Sequence, residues 1–144
     1  MKVYVLHYQY YEDSEIIGVY TEEAMSKELA EYAERGRVRN EKAIVDQERR
    51  LEDLRTRRKK LGQRDREIQE QQAKLKADNV KADSVLKSER KKIMKEMSQL
   101  AVSIQNQEYG LEKMKNLTDK QLAEREMQRG HLYFEEFCVL GMGE

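Results

Sequence analysis

The chain has 144 residues, of which 39% are charged and 38% belong to the hydrophobic set, with no proline, no tryptophan and two phenylalanines. This composition excludes a fully packed globule of that length and suits thin helical elements that each bury one apolar stripe. The formal net charge of zero excludes a uniformly basic or acidic chain, and the single cysteine excludes a disulfide framework.

The first 36 residues predict a β-hairpin followed by a helix. Residues 2–11 are rich in valine and tyrosine and predict a strand, with Val3, Val5 and His7 on one face and Tyr4, Leu6, Tyr8 and Tyr10 on the other. Residues 16–20 predict a second strand. Thr21 can cap a helix that Gly36 would end. We expect a partner to bind the tyrosine-rich face of the first strand, formed by Tyr4, Tyr8 and Tyr10.

The segment that follows, residues 40–117, carries apolar residues at the alternating three- and four-residue spacing of a coiled coil. Asn40 can cap its first helix. The spacing changes phase between Leu75 and Leu86, where the repeat KADNV-KADSV favours a turn, and Asp83 or Ser84 can cap the second helix. We therefore predict a helical hairpin with its tip near residues 76–84. Its seam consists of Leu51, Leu54, Leu61, Ile68, Leu75, Leu86, Ile93, Met97, Leu100, Ile104 and Leu111.

One continuous helical rod that pairs with a second chain is the alternative. The hairpin is favoured because it returns the last strand to the first hairpin, and an isolated strand needs neighbours to satisfy its backbone groups. An antiparallel homodimer of rods that exchange the last strand stays open. The role of the polar seam positions also stays open, since they can either fix the register or weaken the pairing of the helices. These positions are Arg58, Asp65, Gln72 and Asn79.

After the hairpin, Thr118 and Gln121 form a capping box for a helix over residues 119–129, which Gly130 ends. Residues 131–140 predict a third strand, and residues 141–144 a frayed tail. The predicted fold is therefore α+β. A small three-stranded antiparallel sheet with a covering helix (the base, residues 1–36 and 118–144) has a long antiparallel coiled-coil hairpin (the arm, residues 40–117) inserted before its last strand.

Four short motifs at the two ends of the chain carry a resemblance. They are VYVLHY at residues 3–8, ED at 12–13, IGVYT at 17–21 and FEEF at 134–137. With them the base resembles small ββαβ domains of uncharacterised bacterial and phage proteins. The resemblance implies a fold and no activity, and the arm stands where those domains have a short connection.

His7, His131 and Cys138 lie on predicted strands that can be neighbours, so a metal site or a Cys–His pair is one interpretation. No CxxC, HxxxH or HExxH spacing occurs, and the alternation puts His131 and Cys138 on opposite faces. Structural histidines and a small buried thiol are therefore favoured. We expect no catalytic or metal-binding residue, no cofactor and no enzymatic activity.

Two basic patches mark the arm and are candidate partner-binding residues. They are formed by Arg55, Arg57, Arg58, Lys59 and Lys60, and by Arg90, Lys91 and Lys92. Basic helices can bind nucleic-acid phosphates. Acidic residues interleave with the patches and the net charge is zero, which favours a solvated surface or an acidic protein partner.

Helical hairpins of mixed charge resemble the coiled-coil elements through which Clp-type AAA+ unfoldases and their adaptors engage each other. We therefore expect a non-enzymatic protein-interaction module, a phage-like adaptor or inhibitor of a host protein machine, with a nucleic-acid-associated factor as the alternative. No apolar run is long enough to cross a membrane and no signal peptide fits the start. We expect a cytoplasmic protein, in the host cytoplasm if it is phage-encoded.

Overall fold

The computed structural model describes residues 1–75 and 79–139, so part of the predicted tip (76–78) and the tail (140–144) lie outside the described residues. Two compact units are present: a sheet unit, Met1–Ala43 with Asn116–Glu144, and a helix-pair unit, Ile44–Lys115. The elements are β1 Lys2–Tyr10, β2 Asp13–Tyr20, α1 Glu22–Lys74, α2 Val80–Lys115, α3 Asp119–Arg129 and β3 Leu132–Cys138. Among the described residues, no helix is long and apolar enough to span a membrane.

The sheet is antiparallel with the strand order β2-β1-β3, which confirms the predicted fold class. The turn between β1 and β2 is shorter than predicted, because β2 begins at Asp13 rather than at residue 16. A register shift opposite Leu6 and His7 accommodates one extra residue in β2, and pairing then continues to Tyr10 and Asp13. Tyr11 completes the tight turn with a φ of 52°.

The core of the sheet unit lies between one face of the sheet and helices α1 and α3. Its buried residues are Leu6, Tyr32, Ala33, Ala123 and Met127. The capping box is present as predicted, since Gln121 N–H donates to Thr118 Oγ1 and Thr118 N–H donates to Gln121 Oε1. The left-handed residue that turns the chain into β3 is His131, with a φ of 58°, whereas Gly130 has a φ of −92°.

The predicted helix end at Gly36, and the new start at Asn40, are wrong. Helix α1 runs without a break from Glu22 to Lys74, 53 residues. Gly36 is there for a different reason: a Cβ at this position would lie 2.6 Å from the carbonyl oxygen of Leu122 in α3. The missing side chain allows the two helix backbones to approach closely, and this outweighs the low helix propensity of glycine.

In the helix-pair unit, α1 and α2 pair antiparallel within one chain, as the hairpin prediction requires. Five seam residues are buried, namely Leu51, Ile68, Ile93, Leu100 and Leu111, and the other six are half-buried. Five ion pairs with N–O distances of 2.8–3.3 Å join the helices: Lys115–Glu48, Arg55–Glu108, Arg57–Glu96, Arg64–Glu89 and Arg90–Asp65. Helix α2 begins at Val80, so the predicted cap at Asp83 or Ser84 is wrong; Asn79 precedes the helix and its carbonyl accepts from Asp83 N–H.

The polar seam positions agree with the register interpretation. Arg90 Nε donates to Asp65 Oδ1 at 2.9 Å, and its Nη1 donates to Gln72 Oε1 at 3.4 Å. Gln72 in turn donates to Asp83 of α2. Asp65 exposes only 13% of its side chain, so a slipped register would leave a nearly buried carboxylate without its cation. Arg58, by contrast, is exposed.

We expect Gly36→Ala to destabilise the protein by about 1–3 kcal/mol, since the added methyl group meets backbone that cannot rotate away. Thermal unfolding followed by circular dichroism measures the effect. Gly110→Ala is the matched control: a Cβ there meets nothing within 4 Å, so the higher helix propensity of alanine should stabilise by about 1 kcal/mol. Equal stabilisation by both substitutions would contradict the close approach of α1 and α3.

We expect Ile68→Ala to cost about 2–5 kcal/mol, because Ile68 is fully buried in the seam. Urea unfolding of the whole chain, monitored by helix content, checks this. Val102→Ala removes apolar atoms from a side chain that is 58% exposed and should change stability by less than about 0.5 kcal/mol. A similar cost for both variants would show that Ile68 is not packed between the two helices.

Candidate functional site

The face of the sheet that points away from the helices is apolar, and no element of the described chain packs on it; we call it the outer sheet face. It is composed of Val3, Val5, His7, Ile16, Val19, Tyr133, Glu135 and Phe137. Strand alternation places these residues opposite Leu6, which is buried in the core. Val19 is 65% exposed and Ile16 62% exposed, whereas Val5 at the centre of the face is buried among its neighbours.

One polar pair interrupts the outer sheet face. His7 Nε2 lies 3.0 Å from Glu135 Oε2, and the His7 ring stacks on Tyr133 with their centroids 4.9 Å apart. The imidazole is mostly covered, whereas half of the Glu135 side chain is exposed. The contact is close, but its geometry is not that of a hydrogen bond, and the buried Nε2 of His7 has no hydrogen-bond partner among the described residues.

The predicted tyrosine face is not the exposed one. Tyr4 and Tyr8 are half-buried and alternate with the outer-face residues, on the side of the sheet that faces the helices. Tyr10 is 42% exposed at the end of β1, where it contacts the ring of His131. Both alternating sets of β1 are largely apolar, so the sequence did not indicate which face the helices would cover.

The residues considered for metal or Cys–His chemistry do not form a site. Cys138 is exposed and pairs with Lys2, so it lies on the opposite face of the sheet from His7. His131 precedes β3 and contacts the rings of Tyr8 and Tyr10. Within residues 1–75 and 79–139, no cluster of three or more His, Cys, Asp or Glu residues is suited to holding a metal ion.

A groove of about 820 Å³ lies on the other side of the sheet, between α1, α3 and β3. Its floor is apolar and includes Leu29, Met127 and Phe134. Across its rim Arg37 pairs with Glu34 and with Asp119, the latter at 2.8 Å. Neither histidine nor the cysteine lines it among the described residues.

Ion pairs also connect α1 to α3 beside this groove. Arg39 donates two hydrogen bonds to the carboxylate of Glu126, each 3.1 Å long. These bonds lower the pKa of Glu126 and raise that of Arg39, so the pair stays charged at neutral pH. The same effect in the helix-pair unit lowers the pKa of Glu89, which Arg64 contacts. These arginines are structural partners, not free binding groups.

The predicted basic patches are divided by such pairs. Arg55, Arg57 and Arg90 each contact an acid of the facing helix, at 3.0, 3.3 and 2.9 Å. In the described part of the chain, no acid lies within 4.0 Å of the remaining members, which are Arg58, Lys59, Lys60, Lys91 and Lys92. This second group can contact an external partner without breaking an ion pair within the described chain.

No protein-family model matches the chain, and no curated protein and no solved structure shows significant similarity to it. The functional argument therefore has to come from the residues and their geometry.

Proposed function

We propose that the protein is a non-enzymatic interaction module that binds another protein through the outer sheet face. The observation that carries this proposal is the continuous apolar surface around Val5, on a sheet whose other face is already covered by helices. Contiguous exposed apolar patches of more than a few hundred Å² are rare on monomeric proteins and mark interaction sites.

The energetics favour a covered face. Fully burying one aliphatic or aromatic side chain contributes about 1.5–3 kcal/mol. Ile16 and Val19 are more than half exposed, and Tyr133 and Phe137 are each exposed by about two-fifths. Covering them removes most of their remaining apolar surface from water. The stacked pair of His7 and Tyr133 adds a flat surface suited to further aromatic contacts.

The charges around the face indicate what kind of protein binds. The turn and the strands that surround it carry Glu12, Asp13, Glu15 and Glu135, against Lys2. Two copies placed face to face would bring like charges together, whereas a partner with an apolar centre and a basic rim complements them.

A Clp-type AAA+ unfoldase is the narrower partner hypothesis, in which the protein acts as a phage-like adaptor or inhibitor in a host cytoplasm. The antiparallel pairing of α1 and α2 supports it, because such unfoldases and their adaptors engage each other through coiled-coil hairpins. The support is an analogy of shape. Nucleic-acid binding through the basic patches is less well supported, since three of their arginines are already paired.

We expect the double substitution Ile16→Thr with Val19→Thr to weaken partner binding at least about tenfold. Threonine keeps the β-branched shape of these strand residues, and each hydroxyl group buried without a hydrogen bond costs about 1–3 kcal/mol. A partner captured by the wild-type chain after nuclease treatment is identified and purified, and its dissociation constants for both chains are measured by calorimetry.

The matched control is Val45→Thr with Val102→Thr, which makes the same chemical change at two exposed positions of the helix-pair unit. This control should bind as tightly as the wild type. Equal affinity of all three chains would place the binding surface elsewhere. A concentration-dependent dimer in sedimentation that the strand variant abolishes would show instead that a second copy covers the face.

A further inference from the structure

A second exposed surface, with different chemistry, lies on the helix-pair unit; we call it the basic groove. It has a volume of about 480 Å³ and is lined by Arg55, Arg58, Lys59, Gly62, Gln63, Arg66, Met97, Ile104 and Glu108. The α1 members recur at intervals of three and four residues, so they form one stripe along that helix. Met97 and Ile104 are seven residues apart on α2 and form the opposing apolar wall.

Gly62 opens this groove. The nearest atom that a Cβ at Gly62 would meet is Met97 Cε, at the ordinary contact distance of 3.7 Å. Packing between α1 and α2 therefore does not require a glycine here, unlike at Gly36, and glycine is less favourable than alanine inside a helix. The missing side chain leaves Met97 accessible from the α1 side. Methionine is well suited to such a surface because its flexible side chain adapts to different partners.

The charge of the groove is strongly positive. Its lining has four basic residues and one acid, and that acid, Glu108, is paired with Arg55 at 3.0 Å. No acid of the described chain lies within 4.0 Å of Arg58, Lys59 or Arg66. Unpaired positive charge and the half-buried apolar side chains of Met97 and Ile104 thus line the same groove.

We propose that the basic groove binds an acidic amphipathic helix of another protein, as a third helix alongside α1 and α2. The stripe from Arg55 to Arg66 covers eleven residue steps, which is about 16 Å or three helical turns. A partner helix would place apolar residues at positions i, i+4 and i+7 against Met97 and Ile104, and carboxylates beside Arg58, Lys59 and Arg66. This site is separate from the outer sheet face, so either proposal can fail alone.

A helix explains the groove better than a nucleic acid does. The wall formed by Met97 and Ile104 offers nothing to phosphates, and no aromatic side chain lines the groove for a base to stack on. Glu108 would also lie against a phosphate backbone. An amphipathic helix uses both the apolar wall and the flanking charges.

The test uses the full chain and three fluorescent probes in 150 mM salt. The first is a 14-residue helical peptide with leucines at i, i+4 and i+7 and glutamates on its flanks, the second has lysines in place of the glutamates, and the third is a 20-nucleotide RNA duplex. Anisotropy should show that the acidic peptide binds at least about tenfold more tightly than the lysine peptide. No detectable binding of the acidic peptide at about 1 mM protein overturns the proposal.

Two variants locate the site. The first combines Arg58→Glu, Lys59→Glu and Arg66→Glu and should weaken binding of the acidic peptide at least about tenfold. The second, the control, combines Arg49→Glu, Arg50→Glu and Lys81→Glu at exposed positions outside the groove; it makes the same change in net charge and should leave binding within about threefold. Circular dichroism verifies that both triple variants keep their helix content. Equal weakening by both would show attraction by overall charge and overturn a defined groove.

Gly62→Leu separates a helix from a nucleic acid. Leucine fills the space beside Met97, favours the helical conformation and changes no charge, so it should weaken binding of the acidic peptide. It should not affect an RNA held by phosphate contacts alone. Tight RNA binding that survives Gly62→Leu but is lost in the Arg58, Lys59 and Arg66 variant would assign the groove to nucleic acid instead.

Discussion

Strand β1 lies at the centre of the sheet, between a neighbour that follows it directly and one that comes from the other end of the chain. The sheet unit therefore forms only if β3 returns to β1, and a strand left alone cannot satisfy its backbone groups. The antiparallel pairing of α1 and α2 allows this return without a second chain. The close approach at Gly36 then holds α3 against α1, so that both helices cover the same face of the sheet.

Because both helices lie on one face, the other face of the sheet has no cover within the described chain. That face is apolar apart from the pair of His7 and Glu135. Covering this face with another surface lowers the free energy, because apolar side chains are removed from water. The proposed protein-binding function follows from this asymmetry, and the fold alone would not suggest it.

The helix-pair unit shows how a chain with many charges forms a specific pair from a narrow apolar seam. Ion pairs such as Arg90–Asp65 fix the register, and such pairs engage four of the eight arginines of this unit. The unpaired cations that remain at Arg58, Lys59 and Arg66 lie beside accessible apolar atoms. Which basic side chains of the helix-pair unit are in ion pairs and which are not thus determines where its surface can bind an acidic partner.

The sequence by itself determined the elements whose signals are local. These are the capping box at Thr118, the bounds of α3, the alternation of β1 and the seam from Leu51 to Leu111. Features that depend on contacts between residues far apart in the chain could not be predicted from the sequence. Gly36 was interpreted as a helix end, because glycine is common there. The residue that actually requires a glycine at this position is Leu122, whose backbone carbonyl lies close to it and is far away along the chain. The exposed face of the sheet and the free members of the basic patches were decided only by the tertiary structure, because exposure and ion pairing depend on which elements pack together.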